Sequence, residues 1–241
     1  MNAVECYGLC KRYGAKTAVD GLTLSVREGE VLALLGVNGA GKTTTIRMLS
    51  GLTQPSAGEA YVFGRSIRTE LTEAKRMIGI SPQETAVAGN LSVRENLVMM
   101  AGIYGKVQSE AKQAAAQMIE RLSLNSIADK RAKLLSGGWQ RRLSIAMALV
   151  TNPKLLILDE PTLGLDVLAR RELHRVIERL RVEVTVLLTT HYIEEAEALC
   201  DRVAVMADGR LLACGTPAEL TARTECGNLE EAFITLAEGR I

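Results

Sequence analysis

No apolar run long enough to cross a bilayer occurs in these 241 residues. The longest, such as LLIL and TVLLTT, fall far short of the roughly 18 to 20 residues of a spanning helix, and the N-terminus carries no apolar signal core. A soluble chain that stays in the compartment of its synthesis is expected. Charge of one sign is lacking too. The 29 Lys and Arg balance 28 Asp and Glu, for a formal net charge of +1, so no electrostatic argument calls for nucleic acid or an anionic membrane as a partner. Cys6, Cys10, Cys200, Cys214 and Cys226 are odd in number, form no CxxC pair and lack a histidine cluster beside them. That excludes a disulfide framework and a zinc site and leaves five reduced thiols. Internal repeats, low-complexity linkers and long coiled coils are missing. Aromatics make up 3% of the chain, with one tryptophan, Trp139. What remains is a chain with 47% hydrophobic residues, ample for the core of one large domain or two small ones.

Alternating apolar positions predict strands over VECYGL (4–9), LTLSV (22–26) and VLALLG (31–36), with Gly14, Gly21 and Gly29 in the turns. They are expected to form a small antiparallel sheet whose last strand runs into a glycine-rich loop. From Lys42 the period changes: in KTTTIRMLSGL, Ile46 and Leu49 share a helix face and Gly51 ends it. Residues 92–122 are rich in Ala, Met, Leu and Glu without proline. They predict two or three helices forming a subdomain, opened by a Ser92/Glu95 capping box. Helices and apolar strands then alternate: helix 138–150, strand LLILD (155–159), helix 167–181, strand VTVLLTT (184–190), helix 193–200, and strands RVAVMA and RLLACG about Asp208-Gly209. Such alternation is the signature of a parallel α/β core.

GVNGAGKT (36–43) fits the P-loop pattern G-x-x-x-x-G-K-[ST], with a strand before it and a helix after it, as that motif requires. Backbone N–H groups over Asn38, Gly39, Ala40 and Gly41 can turn onto phosphate oxygens. The helix that follows, through Lys42, Thr43 and Thr44, aims its positive dipole end at them. Lys42 suits the β- and γ-phosphates of ATP, and Thr43 suits Mg²⁺. In LLILDE (155–160) four apolar residues make a buried strand, and Asp159 emerges at its C-terminal end, where parallel sheets hold ligands. Asp159 is the second candidate for Mg²⁺, through a water. Glu160 is the candidate to orient or deprotonate the water that attacks the γ-phosphate.

LLSGGWQRRL (134–143) looks like a second anion cradle, with Ser136, Gly137 and Gly138 at the start of a basic helix but no lysine to hold a phosphate. A hydroxyl, open backbone N–H groups and a helix dipole suit a γ-phosphate already gripped from its other side. The cradle therefore makes sense as part of another copy's site. Two copies head to tail would sandwich two ATP molecules.

In order along the chain, GVNGAGKT, LLSGGWQRRL, LLILDEP, GLD (164–166) and LLTTH (187–191) resemble the nucleotide-binding subunit of an ABC transporter. KRYGAKTAVDGLTLSVREGEV and NLEEAFITL (228–236) are most similar to ATPase subunits of ABC-2-type exporters. The resemblance covers essentially the whole chain and implies an α/β fold. A P-loop NTPase core with a parallel sheet would carry an N-terminal antiparallel β subdomain and an α-helical subdomain. Residues 1–241 would be one ABC ATPase domain: core and antiparallel subdomain at 1–83 and 152–223, helical subdomain at about 84–151, and a short C-terminal helical segment at 224–241. Further site residues are implied. Tyr13 would stack on adenine. Gln83 would touch Mg²⁺ and the attacking water, in a loop that senses the membrane subunit. Asp166 would lie in a loop crossing the dimer interface, and His191 would contact the γ-phosphate. His174, mid-helix among Arg and Glu, is expected to be a solvated surface residue.

The chain departs from the family's pattern at four positions. Trp139 replaces the usual glutamine after LSGG, with Gln140 next; Val37 and Val167 stand where proline is common, and Met147 where arginine is. The cradle needs only Ser136 and the two glycines. Trp139 bears on a ribose or interface contact, or packs against the helical subdomain. The implied function is ATP hydrolysis that energises transport, in the export direction, through separate transmembrane permease subunits docked at residues 84–104. The protein would sit peripherally at the cytoplasmic face of the membrane, as a homodimer or heterodimer, with no nucleic acid partner. The alternative is a soluble ABC-type ATPase of DNA maintenance or translation. The first of those carries long coiled-coil insertions between the halves of the site and the second a basic linker between two cassettes, and this chain has neither.

Overall fold

In the computed structural model, which describes residues 1–239, backbone pairing sorts the strands into two sheets. Strands β1 (Asn2–Tyr13), β2 (Lys16–Arg27), β4 (Ala57–Val62) and β5 (Arg65–Ser66) form an antiparallel sheet in the order β2-β1-β4-β5. The second sheet has the order β10-β9-β3-β8-β7-β6. It contains β3 (Val31–Leu35), β6 (Ile78–Ser81), β7 (Leu155–Asp159), β8 (Thr185–Thr190), β9 (Arg202–Ala207) and β10 (Arg210–Gly215). All its pairings are parallel except the edge pair β9 and β10.

The expectation that β3 closes the antiparallel sheet is corrected here: it lies inside the parallel one, between β8 and β9. The physical reason is its burial. All five residues are buried, which requires cover on both faces, whereas a one-sided antiparallel strand would alternate. Val31, Ala33 and Leu35 join one apolar cluster, and Leu32 and Leu34 the other. One face of the sheet thus packs on α1 (Lys42–Leu49) and the antiparallel sheet, through Ile46, Met48 and Leu49. The opposite face packs on α5 (Gly137–Leu149), α6 (Val167–Leu180) and α7 (Ile193–Leu199).

The short α2 (Leu71–Arg76) precedes β6. The 92–122 stretch resolves into two helices, α3 (Val93–Ile103) and α4 (Gln108–Arg121). The capping box at Ser92 forms as expected: the Ser92 hydroxyl accepts the Glu95 N–H at 3.1 Å, and the Glu95 carboxylate accepts the Ser92 N–H at 2.7 Å. At the C-terminus, α8 (Pro217–Thr224), capped by Thr216 ahead of Pro217, is followed by α9 (Leu229–Ala237), which falls within the expected 224–241 segment. Residues 240 and 241 of the expected 224–241 segment lie outside the described residues. His174 is a second correction. Its side chain is only 20% exposed and its Nε2 lies 3.6 Å from the buried Glu195 of α7, because the face of α6 that carries His174 packs on α7.

Candidate functional site

The loop after β3 carries the P-loop residues to the C-terminal edge of the parallel sheet, where the ends of β7 and β8 also emerge. Its path needs glycine at two points. A Cβ on Gly36 would lie 2.4 Å from the Met206 carbonyl oxygen, and one on Gly41, at φ +99°, 2.6 Å from that of Ala18. Gly41 is the N-cap of α1 and offers no side chain to the first-turn N–H groups, which leaves them open to a ligand. Asn38 through Thr44, with Lys16, Ala18, Gln83 and Glu160, line a cleft of about 370 Å³. Lys42 is buried, and its Nζ donates to the carbonyls of Gly36 at 2.7 Å and Val37 at 3.2 Å. Burial pushes its pKa below the usual lysine value, and the nearby Glu160 and Asp159 oppose that shift.

The acidic side is tied together by a residue that sequence reasoning missed, Thr189. Its hydroxyl donates to Asp159 Oδ1 at 2.6 Å and accepts the Glu160 N–H at 2.9 Å. The parallel register pairs Asp159 with Thr189, and the only signal in the chain is a hydroxyl two residues before His191. Thr43 Oγ1 donates to the same Asp159 oxygen at 3.2 Å. Glu160 adopts a left-handed φ of +46°, a conformation that costs a non-glycine residue on the order of 1–3 kcal/mol. Its carboxylate lies between Lys42 Nζ, 3.6 Å from Oε1, and His191 Nδ1, 3.1 Å from Oε2. The His191 ring packs on Tyr192, and Arg170 covers the other ring of that pair.

A hydroxyl and a buried carboxylate sharing one point suit a hard cation. Magnesium takes oxygen ligands and is commonly held by one or two carboxylates together with substrate phosphates. Among the described residues no group of three or more His, Cys, Asp or Glu could hold a metal alone. Thr43 and Asp159 therefore fit Mg²⁺ as a partial set that phosphate oxygens complete.

Gln83 is exposed at the cleft, and its loop is anchored by a second missed residue. Arg141 on α5, only 4% exposed, donates from its two terminal nitrogens to the carbonyls of Pro82 and Gln83, each at 2.6 Å. Burial lowers the Arg141 pKa and the charge of Asp159 opposes this. Read along the chain, Arg141 looks like one more cation of a basic helix.

Ser136, Gly138 and Asp166 line a different cleft, of about 460 Å³, that shares no residue with the first. Ser136 is the N-cap of α5, yet its hydroxyl makes no capping bond, and Gly137 beside it is exposed. Gln140 Nε2 donates to the carbonyls of Ala132 and Leu135 and so fixes the preceding loop. Trp139 is half-buried against the core, with the Arg142 guanidinium 4.8 Å from its ring centre. Asp166 accepts the Ala169 N–H at 2.8 Å and thereby caps α6. Val37, Leu134, Val167 and Leu168 are apolar and exposed. Tyr13, half-exposed at the end of β1 under Lys11 Nζ, lines neither cleft.

Comparison with known proteins gives concordant results. A family model described as ABC transporter matches residues 19–163. The linearmycin resistance ATP-binding protein of Bacillus subtilis is 42% identical over 91% of this chain and 71% of that protein. A Nod factor export ATP-binding protein of Paraburkholderia xenovorans is 44% identical over 91% of this chain and 73% of that protein. Among solved structures, an ATP-binding cassette in a dimeric post-hydrolysis state bound to ADP and Pi superposes with a TM-score of 0.78 at 26% identity, covering 88% of this chain and 98% of that one.

Proposed function

This chain belongs to the ABC transporter family and is an ATPase, and from that premise we propose that it is the motor subunit of an exporter, closing as a dimer around two Mg-ATP. The observation that carries this reading is the division of the anion sites. One cleft is lined by Lys42, Thr43 and Glu160, with Asp159 bonded to Thr43 and His191 beside Glu160, while the Ser136 cradle opens elsewhere with its hydroxyl making no capping bond. A γ-phosphate gripped by Lys42 is completed by the cradle of a second copy, and the exposed Val37, Leu134, Val167 and Leu168 supply apolar area for that contact.

Each side chain then has a task. The N–H groups from Asn38 to Thr44 and the Lys42 ammonium hold the phosphates. Thr43 and Asp159 would hold Mg²⁺ together with Gln83, and the ion would supply charge neutralisation on the phosphate oxygens. Glu160 orients the attacking water and takes its proton, and His191, whose Nδ1 lies 3.1 Å from the carboxylate, is assigned to the γ-phosphate. Asp166 holds the start of α6, and with it Val167 and Leu168, toward the partner. Tyr13 is assigned to adenine on the family resemblance, and its exposure leaves the ring accessible.

The reading carries a domain organisation: a single ATPase domain, with a helical subdomain at about 84–151. A permease would dock in the cleft of about 280 Å³ walled by Leu52, Pro82, Ala86, Met100, Tyr104 and Met147. Among the described residues no helix is long and apolar enough to cross a membrane, so the chain would sit peripherally on a separate permease at the cytoplasmic face. Export follows from the relatives' systems, one of them named for Nod factor export.

The test is the mass of the Glu160→Gln protein by light scattering with and without Mg-ATP, while Trp139 fluorescence is followed. Doubling of the mass with a fluorescence change is expected. A monomer at saturating Mg-ATP in both Glu160→Gln and Glu160→Gln/Trp139→Gln would remove the sandwich as a property of the isolated chain.

A further inference from the structure

A third cleft, of about 230 Å³, lies between the end of α4, α5 and α6; it shares no lining residue with the P-loop cleft and adjoins the Ser136 cleft through Arg142 and Glu172, which line both. Arg121, Arg142, Arg175 and Arg179 line it, against two carboxylates, Glu172 and Glu183. Arginine stays protonated in proteins, so a surplus of two positive charges faces one concavity. Both carboxylates are already engaged. Glu183 Oε2 lies 2.5 Å from Arg121 Nη2, and Glu172 is shared between Arg142 at 2.9 Å and Arg175 at 2.6 Å. The bond from Arg142, reinforced by Arg175, holds the Glu172 carboxyl below the usual carboxylate range. Donors are left over on the other side of the ledger. Among the described residues Arg179, which lines the cleft, has no acidic partner within ion-pair distance, and Arg121 Nε is buried without an acceptor. One-to-one surface ion pairs would leave no such excess.

We propose that this cleft binds a small soluble anion bearing phosphate groups, held by Arg121, Arg175 and Arg179. Planar guanidinium forks match phosphate oxygens in pairs, and the cleft volume admits one such group with its hydration. The site would report to the rest of the molecule through Arg142. That residue is bonded to Glu172 on the cleft wall and stacked on Trp139, three residues from Ser136. An occupant competes with Glu172 for Arg142 and so moves the cation off or onto the indole. The three arginines that would hold the anion line neither earlier cleft, so binding does not depend on the nucleotide sandwich; the consequence for the Ser136 cradle rests on that reading.

Calorimetric titration of the full chain with inorganic pyrophosphate, without Mg²⁺, separates the possibilities. Wild type, Lys42→Ala and Arg179→Glu are compared, with Arg175→Ala as a second cleft variant and circular dichroism to check each fold. Saturable binding that survives Lys42→Ala and weakens tenfold or more in Arg179→Glu or Arg175→Ala is expected. Trp139 fluorescence of Lys42→Ala should saturate with the same midpoint. Binding lost in Lys42→Ala and intact in both cleft variants belongs to the P-loop and overturns the site, as does uptake that never saturates. Vesicles containing phosphatidic acid, captured in an Arg179-dependent way without pyrophosphate binding, would overturn the soluble ligand. Pyrophosphate binding with unchanged Trp139 fluorescence would keep the site and refute the link to the cradle.

Discussion

Ser92 and Ser136 both occupy helix N-caps in extended backbone, yet the hydroxyl of Ser92 accepts an N–H of its helix and that of Ser136 accepts none. The difference separates a structural serine from one held for something else. Loss of a working serine cap costs about 1 kcal/mol, so Ser92→Ala should lower the melting temperature measurably. Ser136→Ala should leave stability within about 0.5 kcal/mol while reducing ATP turnover. Equal melting shifts in the two variants would make the Ser136 hydroxyl structural and weaken the cradle reading. Arg141 poses the converse case, a cation whose work is hidden. Arg141→Met removes the charged bonds to the carbonyls of Pro82 and Gln83, at a cost of about 1–3 kcal/mol, and frees the Gln83 loop. Arg141→Lys should fail to restore that loss, because an ammonium lacks the fork that spans both carbonyls. Thermal melts of the two variants decide it: full recovery in the lysine variant would mean that charge, and not geometry, anchors the loop.

At the scale of elements, the α3 capping box makes a pH signature. The N–H and hydroxyl of Ser92 hold the Glu95 carboxyl below its ordinary value. A carboxylate with a depressed folded pKa stabilises above its unfolded pKa, about 4.3 for glutamate, and loses that contribution as pH falls through the folded value. The difference in melting temperature between wild type and Glu95→Gln should therefore stay constant from about pH 8 to pH 5 and shrink below about pH 4. A difference that grows in acid would refute the bonding. This box was legible in the chain because its two residues are three apart. The P-loop, the Asp159 strand end and the Ser136 cradle were legible for a similar reason: phosphate chemistry demands given residue types at local spacing. Thr189 was not, since its bond to Asp159 exists only through the register of β7 on β8. β6 is four residues long with Gly79 inside it, where a Cβ would meet the Ala148 carbonyl at 2.2 Å, and β5 has two residues. Elements so short carry no period to read. β3 has a clear strand pattern, but its assignment to a sheet depends on what covers it.

For the whole molecule, the proposed function reads two clefts without a common lining residue as two half-sites held by a single chain. If they join only across a dimer, damage to one half in one copy can be bypassed by damage to the other half in the second. Lys42→Ala disables the P-loop half, and Ser136→Arg fills the cradle at an exposed position whose hydroxyl bonds to nothing in its helix. Each variant alone, as a homodimer, lacks a complete site. Mixed at equal amounts, half of the dimers pair one variant with the other. Each of those joins the intact P-loop of one chain to the intact cradle of its partner, so one site in two is whole. For a head-to-tail pair the mixture should recover about a quarter of the wild-type number of complete sites, measured as nucleotide retained in a Glu160→Gln background. A mixture no better than its components would mean that each chain completes its own site. The Ser136 cradle would then need another purpose.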